Sequence, residues 1–325
     1  MMKEMEAVAK AIEEARLIAV SSHENPDGDS LGSHLGLTLV LRSRGKAVFS
    51  SLPEPERYPP QYRFLPGRDH LSSPGEMEGI PDLFVALDCS NLDRLGELRQ
   101  LAERAGLLVN IDHHEDNRMF APINLVDPEA SSTSEIVFKL VRGAGWKVGA
   151  DVATCLYTGV ITDTGRFQHL NTKPETFMVA YQLALEGADI SRVGKEVYES
   201  QSLPYTRLLG ITLQRVEVIE EYGLAYSYIT RADLAETGAS LPETEDLIDY
   251  LRSVRGTRMA AVFKELEDGR VRVSLRSRDE FQVGPIARAL GGGGHASAAG
   301  YTSQRDLQGS LEELLDALRE ARGGS

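Results

Sequence analysis

Four short apolar runs, spaced by segments of helical period, constrain this chain more than any other feature. They are RLIAVSSH (16–23), KAVFSSL (46–52), DLFVALDCS (82–90) and GLLVNIDHH (106–114). Each is strand length and breaks off into polar residues. Helical spacing occupies residues 3–15 and then 30–45, where Gly45 is placed to stop the helix. It returns at 131–145, 152–167 and 173–188, the first of these opened by a capping-box pattern from Ser132 to Glu135. Short strands alternating with helices imply an α/β domain, a parallel sheet with helices on both faces.

The pattern changes near residue 200. Alternating runs at 215–230 and 258–278 follow, the second with Glu-Asp-Gly at its turn, a hairpin signal. Helix-like segments at 245–255, 283–290 and 308–322 surround them. This half reads as a smaller α+β domain. The expected boundaries are a first domain at 1–203, a linker at 204–214 and a second domain at 215–325.

Composition excludes several classes. No apolar run approaches the roughly 18 residues of a membrane span. The N-terminus lacks a basic stretch followed by an apolar one, so no secretory leader is expected. Cys89 and Cys155 are the only cysteines and form no zinc or disulfide pattern, which makes a reducing cytoplasm the simplest compartment. A net charge of −14 argues against coating long nucleic acid, which needs a broad basic surface, but leaves a small phosphorylated substrate open.

Acidic and imidazole groups gather at predicted element ends. SSHENPDGDS (21–30) places His23, Asp27 and Asp29 after the first strand; Asp88 ends the third; Asp112, His113 and His114 end the fourth; Asp163 lies in a helix. Each has an ordinary use: Asn-Pro-Asp-Gly is turn chemistry, and strand-end aspartates cap helices. In open α/β sheets, however, the carboxyl ends of strands face one crevice. Four aspartates and two histidines converging there would need cations, and they match two divalent metals with one carboxylate shared. The mixed donor set favours Mn²⁺, with Zn²⁺, Fe²⁺ and Co²⁺ also compatible. His34, His70 and His169 are read as structural.

Two further features sit in the second half. Four glycines open GGGGHASAAG (291–300), where backbone N–H groups of Gly292, Gly293 and Gly294 could converge on an anion beside His295. Arg276 and Arg278, two apart on a strand, are expected on one sheet face, with guanidinium forks suited to phosphate.

Together HENPDGDS, ALDCS, IDHH and ITDTG resemble the four motifs of the DHH phosphoesterase superfamily, and GGGGHASAAG is similar to the signature of its DHH-associated C-terminal domain. Size and motif order most resemble the NrnA-like group of oligoribonucleases that also act as pAp phosphatases. The resemblance implies that His23 and Asp27 bind one metal and Asp29 and His113 the other. Asp88 would bridge, Asp163 complete the cluster, and His114 lie behind the metals or touch the scissile phosphate. Arg276, Arg278, Gly292–Gly294 and His295 would hold substrate phosphate as the two domains close on it. The implied substrates are short single-stranded RNA and pAp (3′-phosphoadenosine 5′-phosphate), with DNA and a homodimer left open and no membrane involved. A cyclic or linear dinucleotide phosphodiesterase is the alternative within the superfamily; a non-catalytic nucleotide sensor is the alternative outside it.

Overall fold

The computed structural model describes residues 1–278, 281–294 and 296–323, and the chain divides into two units, 1–200 and 201–325. In the first unit six strands form one parallel sheet: β1 (Leu17–Ser22), β2 (Ala47–Ser51), β3 (Leu71–Ser72), β4 (Leu83–Leu87), β5 (Leu108–Asp112) and β6 (Ile123–Val126). The spatial order is β3-β2-β1-β4-β5-β6. Ile18 sits opposite Val48 on one side and Leu83 on the other. The chain therefore builds outward from β1, crosses back, and builds outward again from β4. The topological switch falls between β1 and β4, where strand carboxyl ends open a crevice.

Seven helices cover this sheet: α1 (Met2–Glu14), α2 (Gly28–Ser43), α3 (Arg99–Arg104), α4 (Thr133–Gly143), α5 (Ala150–Asp163), α6 (Pro174–Leu185) and α7 (Ile190–Tyr198). The strands are apolar at nearly every position because both faces are packed. Ile18, Val20, Val85 and Ile111 join the cluster that includes Leu31 and Leu35 of α2 and Leu156 of α5. Ala19, Phe84 and Ala86 point the other way, to Leu95, Leu98 and Ala102.

Helices α2 and α5 touch backbone to backbone. Added side-chain carbons explain why the contact needs glycine: a Cβ at Gly32 would fall 2.5 Å from the Cys155 carbonyl oxygen and 2.9 Å from the Gly159 nitrogen. Gly45, in the left-handed region at φ 77°, follows the end of α2 where the sequence places a stop.

The second unit holds a mixed sheet: β7 (Glu217–Ile219), β8 (Leu224–Ile229), β9 (Met259–Glu265), β10 (Val271–Ser277), β11 (Gly293–Gly294) and β12 (Ala298–Ser303), in the order β11-β12-β10-β9-β8-β7. Among the described residues only β8 and β9 run parallel in this sheet. The β9–β10 hairpin turns at Gly269, φ 83°, as its Glu-Asp-Gly predicts. Its helices are α8 (Leu203–Gln214), α9 (Arg231–Thr237), α10 (Leu247–Arg252), α11 (Gly284–Ala289) and α12 (Leu307–Gly323). Strand alternation divides the core. Met259, Ala261 and Phe263 pack with Leu314 and Leu318, while Ala260 and Val262 pack with Leu208, Leu247 and Leu251.

One expected boundary is corrected here. Residues 204–214 are not a linker but most of helix α8, capped by Ser202, with Tyr205 and Leu208 buried in the second unit's core. Pro204 begins the helix rather than breaking it, because the first turn lacks an N–H partner in any case. Strands β3 and β6 and helices α3 and α7 were also unanticipated; the two edge strands are two and four residues long.

Candidate metal centre

The crevice at the switch point collects side chains from five elements. His23 follows β1. Asp27 caps α2: its Oδ1 accepts from the backbone N–H of Asp29 at 3.1 Å and of Ser30 at 2.9 Å. That leaves Oδ2 turned to His23 Nε2 at 3.8 Å. Capping and facing the crevice are thus compatible uses of one carboxylate. Asp29, one turn into α2, is fully buried and accepts the N–H groups of Thr133 (2.6 Å) and Ser134 (2.8 Å) at the start of α4. A helix N-terminus suits a carboxylate.

Asp88 follows β4 in the left-handed region at φ 59°, a conformation aspartate tolerates better than most residues. Its Oδ1 accepts from Thr133 Oγ1 at 2.9 Å, and its Oδ2 lies 3.4 Å from His23 Nε2. His113, just past β5, places Nε2 3.7 Å from Asp88, 3.7 Å from Asp163 and 4.0 Å from Asp29. Asp163 ends α5.

Three interlocking groups result, each with its ligand atoms within 4.8 Å of one another: His23, Asp27 and Asp88; Asp29, His113 and Asp163; and Asp88, His113 and His114. Asp88 belongs to two of them and so stands between the others.

Orientation comes from a surrounding layer. His23 Nδ1 lies 2.7 Å from the Glu24 carbonyl oxygen, so Nδ1 carries a proton and the ring is held with Nε2 toward the aspartates. His114 Nδ1 donates to Asp112 at 2.7 Å, and Asn117 Nδ2 donates to the other Asp112 oxygen at 2.5 Å. Asn171 Nδ2 lies 3.2 Å from the Asp163 carboxylate and 2.9 Å from the Ser131 carbonyl.

Electrostatics mark the crevice as overcrowded with negative charge. Burial, with the charges of Asp88 and Asp163, pushes the Asp29 carboxyl well up. Burial raises Asp163 to about 7 against the pull of His113. Asp88 is held low despite its burial, by the hydrogen bond and charge of His23. Burial depresses His114, but Asp112 and the charge of Asp88 outweigh it and raise it to about 10. Carboxylates this close share protons or bind cations. Imidazole nitrogens and carboxylate oxygens in groups of three fit divalent cations. Cys89, beside Asp88, is no thiolate ligand: burial and the Asp88 charge push its thiol well up.

The other histidines divide. His34 is buried between Ser50 Oγ (2.8 Å) and Ser22 Oγ (3.4 Å), a core group. His169 lies closer to the site than expected, its Nδ1 3.3 Å from the Asp163 carbonyl. The residues the sequence did not single out are Thr133, Ser134, Asn117 and Asn171. The run of four hydroxyls at 131–134 was the available signal. The capping box also differs in detail: Ser132 accepts from the Glu135 N–H, but Glu135 answers to Ser131.

In the second unit the phosphate-binding candidates have the following surroundings. Arg276 lies within β10 and donates to the Leu275 carbonyl. Arg278 follows the last residue of β10, its N–H still paired with the Arg258 carbonyl at 2.8 Å, and its guanidinium donates to the Val254 carbonyl. The amide of Gly292 donates to Ala287 at 2.8 Å, closing α11, and is not available to an anion. Gly293 and Gly294 pair with Gly300 and Ala299 as edge strand β11. The expected role of His295 lies outside the described residues.

Fold and site together define a class: a doubly wound α/β unit with clustered His/Asp groups at its switch point, followed by a mixed-sheet unit. The chain belongs to the DHH phosphoesterase family: the DHH family N-terminal domain matches residues 17–160 and the DHHA1 domain residues 221–322. It is 34% identical to the bifunctional oligoribonuclease and PAP phosphatase NrnA of Thermus thermophilus, over 96% of this chain and 92% of that one. It superposes on the crystal structure of an exopolyphosphatase-related protein from Bacteroides fragilis with a TM-score of 0.91 at 27% identity, covering 98% and 96% of the two chains. The exonuclease RecJ bound to manganese shares the fold at a TM-score of 0.53 and 15% identity, covering 98% and 92%. Among the described residues no helix is long and apolar enough to cross a membrane.

Proposed function

We propose that this protein is a metal-dependent phosphoesterase that hydrolyses short oligoribonucleotides to mononucleotides and pAp to AMP and phosphate. The observation that carries the reading is the pair of His/Asp groups meeting at Asp88 in the switch-point crevice. The relative named as an oligoribonuclease and PAP phosphatase, matched over nearly its whole length, supports the choice of substrate.

On this reading His23, Asp27 and Asp88 hold one cation and Asp29, His113 and Asp163 the second, with Asp88 shared. Mn²⁺ suits the mixed nitrogen and oxygen donors. What such cations supply when bound is positive charge against the phosphate oxygens and a more acidic attacking water. The chain does the rest. The α4 amides and Thr133 fix Asp29 and Asp88 in place, so the site needs little rearrangement to receive charge. His114, steadied by Asp112, can hydrogen-bond the phosphate or, when protonated, supply a proton to the leaving oxygen. In the second unit Arg276 and Arg278, with the run from Gly293 to His295, are assigned to substrate phosphate.

A substrate panel with added Mn²⁺ tests the reading: pAp, RNA and DNA of two to ten nucleotides, linear and cyclic di-AMP, and pyrophosphate. RNA of two to five nucleotides and pAp should turn over fastest. Faster hydrolysis of cyclic di-AMP, pyrophosphate or ten-nucleotide DNA would overturn it. Repeating the leading substrate with Mg²⁺, Zn²⁺ and Co²⁺ tests the choice of metal.

A further inference from the structure

The segment from Pro55 to Leu71 lines a groove of about 570 Å³ in the first unit. A small-molecule site usually measures roughly 300–1,000 Å³. Leu65, Pro66 and Leu71 give the groove an apolar wall, and Arg63, Arg68 and Asp69 give it charge. The wall is held from behind. Tyr58 donates its hydroxyl to the Tyr62 carbonyl at 3.0 Å, and the Cys155 thiol of α5 donates to the Pro66 carbonyl at 3.4 Å. A Cβ at Gly67 would fall 3.1 Å from the Leu39 side chain of α2, so the turn beside the groove sits directly on that helix. Arg68 lies over the Tyr58 ring, 5.3 Å from its centroid, which orients its guanidinium. Among the described residues neither Arg63 nor Arg68 has a carboxylate within ion-pair distance, and Asp69 has no basic partner.

We propose that this groove binds a nucleoside monophosphate. The arginines are the first argument. On a chain of net charge −14, two guanidinium groups without acidic partners in one groove reverse the local sign. Their forked N–H donors suit phosphate oxygens. The apolar wall is the second argument: a bare phosphate would leave it uncovered, and a flat base covers it. Asp69 is the third. A carboxylate repels a free anion, but its two oxygens accept hydrogen bonds from ribose hydroxyls. One molecule then satisfies all three parts, with phosphate at Arg63 and Arg68, sugar at Asp69 and base against the wall. None of the lining residues belongs to the His/Asp groups of the crevice, so the assignment does not depend on the hydrolytic reading.

Calorimetric titration of the full chain in EDTA, with no metal added, tests it using AMP, adenosine and inorganic phosphate. The wild type is compared with Arg63→Gln/Arg68→Gln and with Asp69→Ala. All three positions are exposed, and melting curves verify that each variant is folded. AMP should bind the wild type with a dissociation constant below about 1 mM, and adenosine and phosphate should bind about tenfold more weakly or worse. The double arginine variant should weaken AMP by about tenfold or more, the usual cost of a lost hydrogen bond to a charged group. Asp69→Ala should narrow the preference for AMP over inorganic phosphate, since only the nucleotide has hydroxyls for the carboxylate. Absence of AMP binding below about 1 mM overturns the proposal. So does a folded double variant that binds AMP as the wild type does, which would put the nucleotide elsewhere. Inorganic phosphate or adenosine binding as tightly as AMP overturns it as well, as does an unchanged preference in Asp69→Ala.

Discussion

Each unit buries charge, and the two do it in opposite ways. In the second, Lys264 is fully buried on β9, but Glu245 meets its Nζ at 3.0 Å and Arg272 lies 3.9 Å from the same carboxylate. Burial lowers the Lys264 ammonium while Glu245 pulls it back up, and nothing outside the chain is needed to balance it. In the first unit, Asp29, Asp88 and Asp163 face one another with only imidazoles between them. The lesson is that burial alone does not mark a binding site. An unbalanced sign does, because it is relieved only by taking up protons or an external cation.

The contrast breaks most sharply at Asp88. Asparagine accepts the same left-handed backbone and nearly the same volume, so Asp88→Asn should fold while losing the shared charge. Hydrolysis of pAp should fall at least 10³-fold, about 4 kcal/mol in transition-state free energy. Mn²⁺ at 100 times its dissociation constant should stabilise the wild type by about 2.7 kcal/mol per site, and should stabilise the variant far less; phosphate release and melting curves read the two effects. Substantial turnover by folded Asp88→Asn would refute the shared-ligand assignment.

Lys264→Ala makes the opposite test. Lys264 is fully buried while Glu245 is 44% exposed, so what is lost is mainly packing of the lysine stem, about 2 kcal/mol in urea unfolding, with the Mn²⁺ titration unchanged. A shift in Mn²⁺ affinity would show that the two arrangements are not independent.

His34 supplies a pH test away from the aspartates. Burial lowers its pKa from 6.5 to about 3. Between those values the unfolded chain binds a proton that the folded chain does not. Stability is therefore intact above pH 6.5 and falls as pH drops toward 3, by about 2 kcal/mol at pH 5. His34→Gln should flatten that slope in denaturant melts at pH 5 and 7.

The smallest expected effect is at Asn171, whose amide steadies Asp163. Asn171→Ala should weaken Mn²⁺ binding about tenfold by calorimetry. No change there would reduce the amide to a loop contact.

Much of the first unit could be read from the sequence because its central strands are buried on both faces and leave unbroken apolar runs. Edge strands β3 and β6 leave no such trace, since a two- or four-residue strand takes its identity from its neighbour. Helix α6 was legible as a helix, but not the exposure of Phe177, Met178, Tyr181 and Leu185 on it: it is apolar nearly all round, so period alone does not say which side is covered. In the crevice, His23, Asp88, His113 and Asp163 were readable because each sits at or beside an element end. Asn117, Thr133 and Asn171 were not, because what makes them matter is a distance of about 3 Å set by tertiary packing. The glycine run at 291–294 closes a helix end and forms an edge strand, uses that its flexibility alone does not distinguish from a ligand cradle.

The glycines between α2 and α5 carry a last consequence. Asp29 rides on one helix and Asp163 on the other, so the gap between those carboxylates is ruled by how nearly two backbones touch. A Cβ at Gly159 would fall 2.6 Å from Asp29 Oδ1 itself. The gauge of the crevice is therefore written in missing methyl groups, one layer behind the carboxylates that face it.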